Sequence, residues 1–541
     1  MRHPLNKKQD TRHSMEQSYD VIICGGGPVG MGLAIDLGQR GHRVAVVERY
    51  PEPQPIPKGQ NLTQRSMENI HFWGAEKELR AARTVPAGVG IGGMTCYGTL
   101  LSPYHYDWLI RAKVRPYYFT DNERLPQYAT EAVLRARAAQ IPVITTFYGW
   151  TGGAVTDTGD GVTLEMSQRD GPGRAVLHGR YLVGCDGSRS AIREQAGITE
   201  TLRDHDRLMV LAVFDSPQLH ELLECYPGKA FYNVLHPDLD GYWLFFGRVD
   251  LGRSFFFHAP VPLGTTRDNF DFKAYIQKAA GAEFDLDFSY LGFWNLRIAI
   301  ADSYGRGNIF IAGDAAHSHP PYGGYGINTG FEDARNLGWK LSAMLEGWGG
   351  AGLLDSYTIE RRPVFASTAE GFIEKAIEED RKFLRAFSPD SDLVAFKAAW
   401  AERGNGTTDE VFAFEPNYRG SPIVVHDGDG QPGAVGTHEF RARAGHHLAP
   451  KPLSDGRNVF EALGQGFTLI ALSPKADIAG YRAAATALGV PLTVIEDSAA
   501  DGREAWEADL ILLRPDQFVA WCGETDAAPD KVMRRATGHA A

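Results

Sequence analysis

The chain has 541 residues, of which 43% are hydrophobic and 23% are charged, and its formal net charge at pH 7 is -12. This composition is typical of a globular protein with two or three domains. The negative charge argues against non-specific binding to nucleic acid or to an anionic membrane surface, so neither is expected as a partner.

The N-terminal residues and the cysteines bear on location. Residues 1–18 are polar and charged and lack an apolar h-region, so we expect a disordered tail and not a signal peptide. No run of 18 apolar residues occurs, so no transmembrane helix is expected. The five cysteines are scattered without a CxxC pair, which excludes a zinc ribbon and a dithiol redox centre. We therefore predict a cytoplasmic protein without a metal site.

A glycine-rich turn follows the first predicted strand, residues 19–24. Gly25, Gly27 and Gly30 form a Gly-x-Gly-x-x-Gly pattern, and a helix-like segment comes next. Gly25 permits a tight turn, Gly27 leaves room for phosphates, and Gly30 allows helix and strand to pack closely. Such a turn brings backbone N–H groups to a pyrophosphate at a helix N-terminus, where the helix dipole favours an anion.

A second apolar strand, residues 43–48, ends in an acidic residue. Glu48 lies 18 residues after Gly30, close to the spacing at which a carboxylate accepts hydrogen bonds from the ribose hydroxyls of an adenosine. Strand, glycines, helix, strand and acid together predict an adenine dinucleotide site.

The rest of the chain alternates between helical and strand patterns. In chain order, these patterns predict a βαβ unit at 19–50, an extended loop with four prolines at 51–57, helices at 64–73 and 125–139, strands at 143–180, an aromatic-rich sheet within 208–293, a buried strand at 309–313 and a long helix at 328–345. A linker is predicted at 391–422, followed by an α/β unit with strands at 467–472, 491–495 and 509–513 and a helix at 477–488.

Two further motifs place acidic residues at strand ends. Asp186-Gly187 follows a strand within residues 181–193, and alone such a pair is most often a turn. Gly313-Asp314 follows a buried strand, where a carboxylate costs desolvation unless a polyol or backbone donors satisfy it. The glycine-rich loop 320–330 then opens the long helix, and a ring carbonyl that gains negative charge could sit at that N-terminus.

The three motifs, in this order and spacing, resemble the single-component FAD-dependent aromatic hydroxylases, the family of 4-hydroxybenzoate hydroxylase and phenol hydroxylase. The resemblance covers residues 19–390. It implies an α/β fold with a Rossmann-like FAD-binding domain at 19–85, 121–207 and 297–390 and an interleaved, mostly antiparallel β-sheet substrate domain at 86–120 and 208–296. Residues 423–541 are similar to the thioredoxin-like C-terminal domain of the phenol hydroxylase branch. Because only Cys522 lies there, its expected role is packing or dimerisation in a homodimer.

The resemblance also implies roles for individual residues. Glu48 would bind the adenosine ribose, Asp314 the ribitol chain of FAD, and Asp186 both FAD and the nicotinamide cofactor. Gln127 would lie beside the flavin. Lys58 stands where the family usually has an arginine at the pyrophosphate, which keeps the charge but loses bidentate geometry. The full set of implied cofactor-binding residues is Gly25, Gly27, Pro28, Val29, Gly30, Glu48, Arg49, Lys58, Gln127, Asp186, Gly187, Gly313, Asp314, Pro321, Gly324, Gly326, Ile327 and Asn328.

The implied chemistry is hydroxylation of an electron-rich aromatic ring of the phenol type. NADH or NADPH would deliver hydride to FAD, and O₂ would add at C4a to give a flavin hydroperoxide that attacks the ring. The chain has no second Gly-x-Gly-x-x-Gly pattern, which suits a nicotinamide cofactor that binds and leaves. The alternative is a flavoprotein of the same fold that shields a reactive intermediate without oxidising it.

Other flavoenzymes fit less well. A flavin-dependent halogenase would carry a Trp-x-Trp-x-Ile-Pro signature, which residues 293–296 do not match, and a disulfide reductase would need a cysteine pair near the flavin.

The catalytic residues are the least defined by sequence. Pro321 matches a family proline whose carbonyl faces the substrate near the flavin C4a atom. Tyr232 and His236, in the aromatic-rich sheet, are candidates for the base that activates the phenol. Tyr242, Arg248 and His258 in the same sheet, and Tyr117 and His105 before it, are rivals that the sequence does not separate, and each also suits an ordinary core position. His317 is expected to be structural.

Overall fold

The computed structural model describes residues 17–425, 429–524 and 528–540. The strands in chain order are β1 Gln17–Cys24, β2 Val44–Glu48, β3 Asn61–Leu62, β4 Gly93–Tyr97, β5 His105–Trp108, β6 Glu123–Arg124, β7 Ile144–Tyr148, β8 Trp150–Asp157, β9 Val162–Gln168, β10 Arg174–Gly184, β11 Glu200–Asp215, β12 Phe231–Leu235, β13 Trp243–Arg248, β14 Ser254–Val261, β15 Asp287–Ala301, β16 Gly305–Arg306, β17 Ile309–Ile311, β18 His317–Ser318, β19 Phe414–Asn417, β20 Gly433–Val435, β21 Phe467–Ala471, β22 Leu492–Glu496, β23 Leu510–Leu513 and β24 Val519–Gly523. The helices are α1 Pro28–Gln39, α2 Gln64–Phe72, α3 Glu76–Ala81, α4 Gln127–Ala138, α5 Ala191–Gln195, α6 Pro217–Leu222, α7 Phe272–Ala280, α8 Tyr325–Glu346, α9 Asp355–Thr368, α10 Lys375–Ala386, α11 Leu393–Ala413, α12 Ile478–Leu488 and α13 Pro529–Ala536.

A parallel sheet forms the centre of the FAD-binding domain. Its strands lie in the order β17-β10-β1-β2-β7, and all four of these pairings are parallel. Every residue of β2 is buried, as expected for a parallel strand that is covered on both faces. The carboxyl ends of β1, β2 and β17 lie at one edge of the sheet, so the glycine turn, Glu48 and Asp314 come together there. In open α/β sheets that edge is where ligands bind.

A second sheet joins two separate parts of the sequence. Its order is β18-β15-β11-β14-β13-β12-β4-β5, and β12 pairs with β4 in parallel while its other pairings are antiparallel. The interleaved, mostly antiparallel substrate domain predicted from the sequence is therefore present. Within its second sequence segment, β11 begins at Glu200 and β15 ends at Ala301, so these strands extend beyond the predicted 208–296.

The C-terminal unit has a four-stranded sheet of order β22-β21-β23-β24. The β21–β22 pair is parallel and the other two pairs are antiparallel, which agrees with the predicted thioredoxin-like fold. The three predicted strands and the predicted helix match β21, β22, β23 and α12 to within two residues. Strand β24 and helix α13 were not predicted.

Residues 391–422 are not the predicted linker. Most of the segment is α11, and Asp392 caps it by accepting hydrogen bonds from the backbone N–H groups of Val394 and Ala395 at 3.1 and 3.0 Å. Phe396 and Trp400, one helical turn apart, are buried and stacked with ring centroids 5.8 Å apart. Gly404, Gly406 and the polar residues around them hide the helical pattern in the second half of α11.

Other predicted elements lie close to their observed positions. The long helix α8 starts at Tyr325, one turn before the predicted residue 328, because Gly324 adopts the left-handed conformation with φ 69° at its N-terminus. Residues 1–16 of the predicted tail lie outside the described residues, and Gln17 and Ser18 begin β1. No helix within the described ranges is long and apolar enough to cross a membrane.

Candidate active site

A cavity of about 530 Å³ opens at the carboxyl edge of the parallel sheet and continues to the aromatic face of the second sheet. At the edge of the parallel sheet the cavity is lined by residues of the glycine turn, including Gly25 and Gly27. At the other end it is lined by Phe231, Phe245 and Phe256. The cavity therefore joins a site for phosphate-bearing groups to an apolar pocket for a flat ligand.

The glycines of the turn have distinct roles. Gly25 has φ +112°, and a Cβ added there would lie 2.2 Å from the carbonyl oxygen of Cys185. A Cβ at Gly30 would lie 2.0 Å from the carbonyl oxygen of Gly25, so this position permits the close packing of helix on strand. A Cβ at Gly27 would have no neighbour within 4 Å. Gly27 thus faces open space at the N-terminus of α1, where a pyrophosphate fits.

Glu48 fastens the end of β2 to this turn. Its Oε2 accepts a hydrogen bond from the backbone N–H of Gly26 at 2.8 Å, and its Oε1 accepts one from the N–H of Tyr50 at 2.8 Å. A carboxylate has about four lone-pair sites, so two donors leave capacity for ribose hydroxyls. The side chain borders the cavity, and Arg49 follows it on the same wall.

Asp314 provides a carboxylate without a partner. It lies in a short 3₁₀ turn after β17, lines the cavity, and forms no side-chain hydrogen bond among the described residues. Asp314 is exposed to the cavity, where desolvation raises its pKa, while the charges of His317 and Lys58 oppose that rise. Lys58 also lines the cavity. An open carboxylate in this position suits the hydroxyl groups of a ribitol chain.

Asp186 has a structural task as well as a place on the cavity wall. Its Oδ1 accepts a hydrogen bond from Ser190 Oγ at 2.5 Å, and its Oδ2 accepts one from the N–H of Ile192 at 3.2 Å. These bonds hold the start of α5, so the turn expected for an isolated Asp-Gly pair is present. Gly187 has φ +89° and no neighbour within 4 Å of an added Cβ, so it borders open space.

The loop before α8 and the first turn of α8 form one wall of the cavity. Pro321, Gly324, Gly326 and Ile327 line it, and Gln127 at the start of α4 lies opposite. A Cβ added at Gly59 would be 3.7 Å from Gln127 Oε1 and 3.9 Å from Ile327 Cγ2, so these walls are close.

Asn328 is directed away from the cavity. Its Oδ1 accepts hydrogen bonds from the Thr63 N–H at 2.9 Å and the Ser66 hydroxyl at 2.6 Å. Its Nδ2 donates to the carbonyl oxygens of Asn61 at 2.9 Å and Gly324 at 2.5 Å. The side chain thus joins α8 to the segment around β3. Gly30 and Gly313 likewise act through packing, since neither lines the cavity.

Known proteins share this arrangement. The family model described as FAD binding domain matches residues 18–371, and the model described as aromatic-ring hydroxylase, C-terminal, matches residues 441–540. The 4-methyl-5-nitrocatechol 5-monooxygenase of a Burkholderia species is 30% identical over 534 residues, covering 93% of each chain. Aklavinone 12-hydroxylase RdmE of Streptomyces purpurascens is 28% identical and covers 95% of this chain and 97% of its own length. The solved structure of the rebeccamycin biosynthetic enzyme RebC with reduced flavin is 26% identical, has a TM-score of 0.82, and covers 97% of this chain and 99% of its own.

The chain belongs to the family of single-component FAD-dependent aromatic hydroxylases. It is an FAD-dependent aromatic monooxygenase, as the sequence resemblance implied. The open space at Gly27 and the unpartnered carboxylate of Asp314 fit FAD as its cofactor.

Two of the predicted catalytic residues of this hydroxylase lie outside the cavity. Tyr232 is fully buried on the opposite face of β12, where its hydroxyl donates to the carbonyl oxygen of Lys229 at 3.0 Å. His236 lies beyond the end of β12 and accepts a hydrogen bond from the Asp238 N–H at 3.2 Å through Nδ1. Side chains alternate between the faces of a strand, so Phe231 faces the cavity and Tyr232 cannot.

Among the rival residues, His258 alone reaches the cavity. Tyr117, His105, Tyr242 and Arg248 do not line it. The His258 ring lies 5.4 Å from Phe256 and 5.4 Å from Trp294, measured between ring centroids. Burial lowers the pKa of His258 to about 3, so its imidazole is neutral at pH 7. Its Nδ1 has no hydrogen-bond partner among the described residues.

His317 has the structural role expected of it. Its Nε2 bonds Asp333 Oδ2 at 2.6 Å, its ring stacks on Phe365 at 4.2 Å, and Arg361 Nε donates to the other oxygen of Asp333 at 2.8 Å. The described residues contain no cluster of three or more side chains that could hold a metal ion.

His319 and Arg124 are two of several cavity-lining residues that were not predicted from the sequence. His319 bonds the carbonyl oxygen of Pro320 through Nδ1, its Nε2 has no partner among the described residues, and burial lowers its pKa to about 4. Arg124 lines the cavity near Phe231. His319 lies two residues before the predicted site residue Pro321, and this proximity in sequence could have indicated that His319 also lines the cavity. No sequence signal pointed to Arg124, because the segment Asn122-Glu123-Arg124 is typical of a solvated surface.

Proposed function

We propose that this hydroxylase adds one oxygen atom to an electron-rich ring of the phenol type, with NAD(P)H and O₂ as co-substrates. The observation that carries the proposal is the continuous cavity between the glycine turn and the apolar face of Phe231, Phe245 and Phe256. One end suits an adenine dinucleotide and the other a flat, largely apolar ring.

The reaction consumes NAD(P)H, a proton and O₂; one oxygen atom enters the ring and the other leaves as water. When bound, FAD would supply the redox chemistry that links NAD(P)H and O₂ to the ring.

In this proposal the cofactor-binding residues keep the roles implied by the sequence. The backbone N–H groups of Gly27 and Val29 at the N-terminus of α1, together with Lys58, hold the pyrophosphate. Glu48 holds the adenosine ribose, and Asp314 holds the ribitol chain. Asp186 borders both FAD and the visiting nicotinamide cofactor. Pro321 to Ile327 lie along the flavin ring, with Pro321 next to the substrate. The support is that these residues line one cavity.

His258 is the residue we assign to the substrate hydroxyl. Its neutral imidazole accepts a hydrogen bond from the phenol O–H, which orients the ring and enriches it in electrons. Complete proton transfer would create a buried imidazolium, which the low pKa of His258 disfavours. The apolar side chains around it keep water away from the reacting ring.

The test uses purified protein. Bound FAD is measured by absorbance, oxidation of NADH and of NADPH is followed with a panel of phenols, and product mass is determined under ¹⁸O₂. We expect oxidation that a phenol stimulates and a product with one ¹⁸O atom. Binding of FAD and of a phenol without oxygen incorporation would contradict the proposal and favour the intermediate-shielding flavoprotein.

We also propose that the protein is a cytoplasmic homodimer. Support for the compartment comes from its free cysteines, Cys24, Cys96, Cys185, Cys225 and Cys522, which fit a reducing environment. Light scattering during gel filtration measures the oligomeric state.

A further inference from the structure

Arg124 is a buried cation on the cavity wall. Only 2% of the residue is exposed, and its Nη2 donates a hydrogen bond to the carbonyl oxygen of Arg248 at 2.6 Å. Its Nε has no hydrogen-bond partner, and its guanidinium forms no ion pair with a carboxylate in the described part of the chain. An unpaired charge at this depth is costly, so the site is incomplete without an anion.

The residues around Arg124 increase its need for an anionic partner. Arg248, the last residue of β13, is also buried, and its Nε and Nη2 lack hydrogen-bond partners among the described residues. Burial lowers the pKa of Arg124 to about 9, and the charge of Arg248 acts in the same direction. Arg124 is still charged at pH 7, and it combines positive potential with an apolar environment.

The position of Arg124 indicates which ligand supplies the anion. Its Cζ lies 5.9 Å from the ring centroid of Phe231, at the aromatic end of the cavity. The charge of Lys58, by contrast, acts on Asp314, next to the glycine turn. Lys58 is thus the cation placed for the cofactor phosphates. Arg124 is available to the ligand that contacts Phe231.

We propose that Arg124 binds a negatively charged oxygen of the aromatic substrate, either a ring phenolate or a ring carboxylate. A planar guanidinium with spare N–H donors suits a flat oxyanion. The inference rests on the proposed function, because its ligand is the substrate of that site. It adds a substrate class, aromatic oxyanions, and a residue that selects it. It also complements His258, which is too weak a base to hold a phenol proton.

The first arm of the test uses 4-nitrophenol, whose ionised form has its own absorbance. FAD-loaded protein is titrated with pH in the presence of the probe, and difference spectra give the acid dissociation constant of the bound phenol. We expect that constant to be about tenfold or more above that of the free phenol, because an opposite charge within a few ångströms favours ionisation. The Arg124→Gln complex should lose this increase.

The second arm compares 4-hydroxybenzoate with 4-hydroxybenzamide by equilibrium dialysis. We expect the acid to bind about tenfold or more tightly than the amide, the range typical of a charge-assisted hydrogen bond. Arg124→Gln should remove the preference, and Arg124→Lys, which keeps the charge, should retain part of it. Arg503→Gln is the matched control, since Arg503 is equally buried but belongs to the C-terminal domain and does not line the cavity.

The two arms distinguish the two sources of the oxyanion. An effect in the first arm alone assigns Arg124 to a phenolate, and an effect in the second alone assigns it to a carboxylate. The inference is overturned if neither effect occurs, if no probe binds, or if both effects persist in Arg124→Gln. It is also overturned if Arg124→Gln changes only FAD retention. Because both arms measure binding, a protein that selects oxyanions but never hydroxylates them would fail only the proposed function.

Discussion

The Arg514 guanidinium forms a two-pronged ion pair with the Glu360 carboxylate, with Nη1–Oε1 and Nη2–Oε2 distances of 2.6 and 3.0 Å. Both side chains are fully buried. Arg514 follows β23 of the C-terminal domain and Glu360 belongs to α9, so the pair joins the two domains. Burial opposes ionisation of Glu360, but the charges of Arg514 and Lys340 outweigh it and hold the pKa of Glu360 below its usual range.

Removal of Arg514 should therefore weaken the protein. We expect Arg514→Met to lower the free energy of unfolding by about 3–5 kcal/mol, because Glu360 would remain buried with less compensating charge. Urea unfolding measures the loss. The control is Arg457→Met, which breaks an exposed pair with Asp455 at 2.6 Å and should have no measurable effect. Equal losses in the two variants would show that the buried pair has no special role.

Two glycine variants should separate cofactor binding from folding. Gly27→Ala has an acceptable φ of -72° and no steric neighbour, so the thermal midpoint of the FAD-free protein should not change. Its FAD affinity should fall about tenfold or more, because the added methyl occupies phosphate space. Gly25→Ala should lower the midpoint itself, since φ is +112° and the new Cβ would meet the Cys185 carbonyl.

Fluorescence titration with FAD and differential scanning calorimetry provide these two readouts. Gly252→Ala is the matched control, because that position is also open but lies outside the cavity. Unchanged FAD affinity in Gly27→Ala would argue against a pyrophosphate at the turn.

Asp314→Asn should reduce FAD affinity about tenfold, since a neutral amide is a weaker acceptor for ribitol hydroxyls than a carboxylate. In the wild-type protein, FAD should also bind less tightly as pH falls through the raised pKa of Asp314, where the carboxylate becomes neutral. The Asn variant should lack this pH dependence. Asp302→Asn is the control, because Asp302 bonds Thr199 and Thr201 at the surface. A pH dependence that is the same in both variants would remove Asp314 from the cofactor site.

His258 should make the protein sensitive to acid. Its pKa falls from 6.5 to about 3 on folding, so between these values the unfolded chain binds a proton that the folded protein does not, and stability decreases as pH falls through this window. At pH 5 the cost is about 2 kcal/mol relative to neutral pH. His258→Gln should lose less stability than the wild type between pH 7 and pH 5 in urea unfolding. An identical acid loss in the variant would mean that His258 is protonated in the folded protein.

The sequence predicted those parts of the site that depend on local backbone chemistry. The glycine turn, Glu48 and the Gly313-Asp314 pair are constrained by neighbours close in sequence, and they meet because parallel strands end at one edge. The catalytic residues depend on which face of β12 points inward. Phe231 and Tyr232 are both aromatic and both buried, so their pattern contains no alternation from which to choose.

Arg124 and α11 were missed for related reasons. A buried cation is recognised from the lack of a partner in three dimensions, and its sequence neighbours carry no such information. In α11, the two glycines Gly404 and Gly406 lower helix propensity, while burial of Phe396 and Trp400 against other aromatic rings stabilises the helix.

The four hydrogen bonds of Asn328 have a mechanical consequence. Three of them tie the first turn of α8 to Asn61, Thr63 and Ser66, and thereby to the strand that follows Lys58 and Gly59, and the fourth holds Gly324. The α8 loop and the segment around Lys58 and Gly59 should therefore move as one rigid unit. We expect the distance between these two walls of the cavity to stay constant when the aromatic end of the cavity adjusts to ligands of different size.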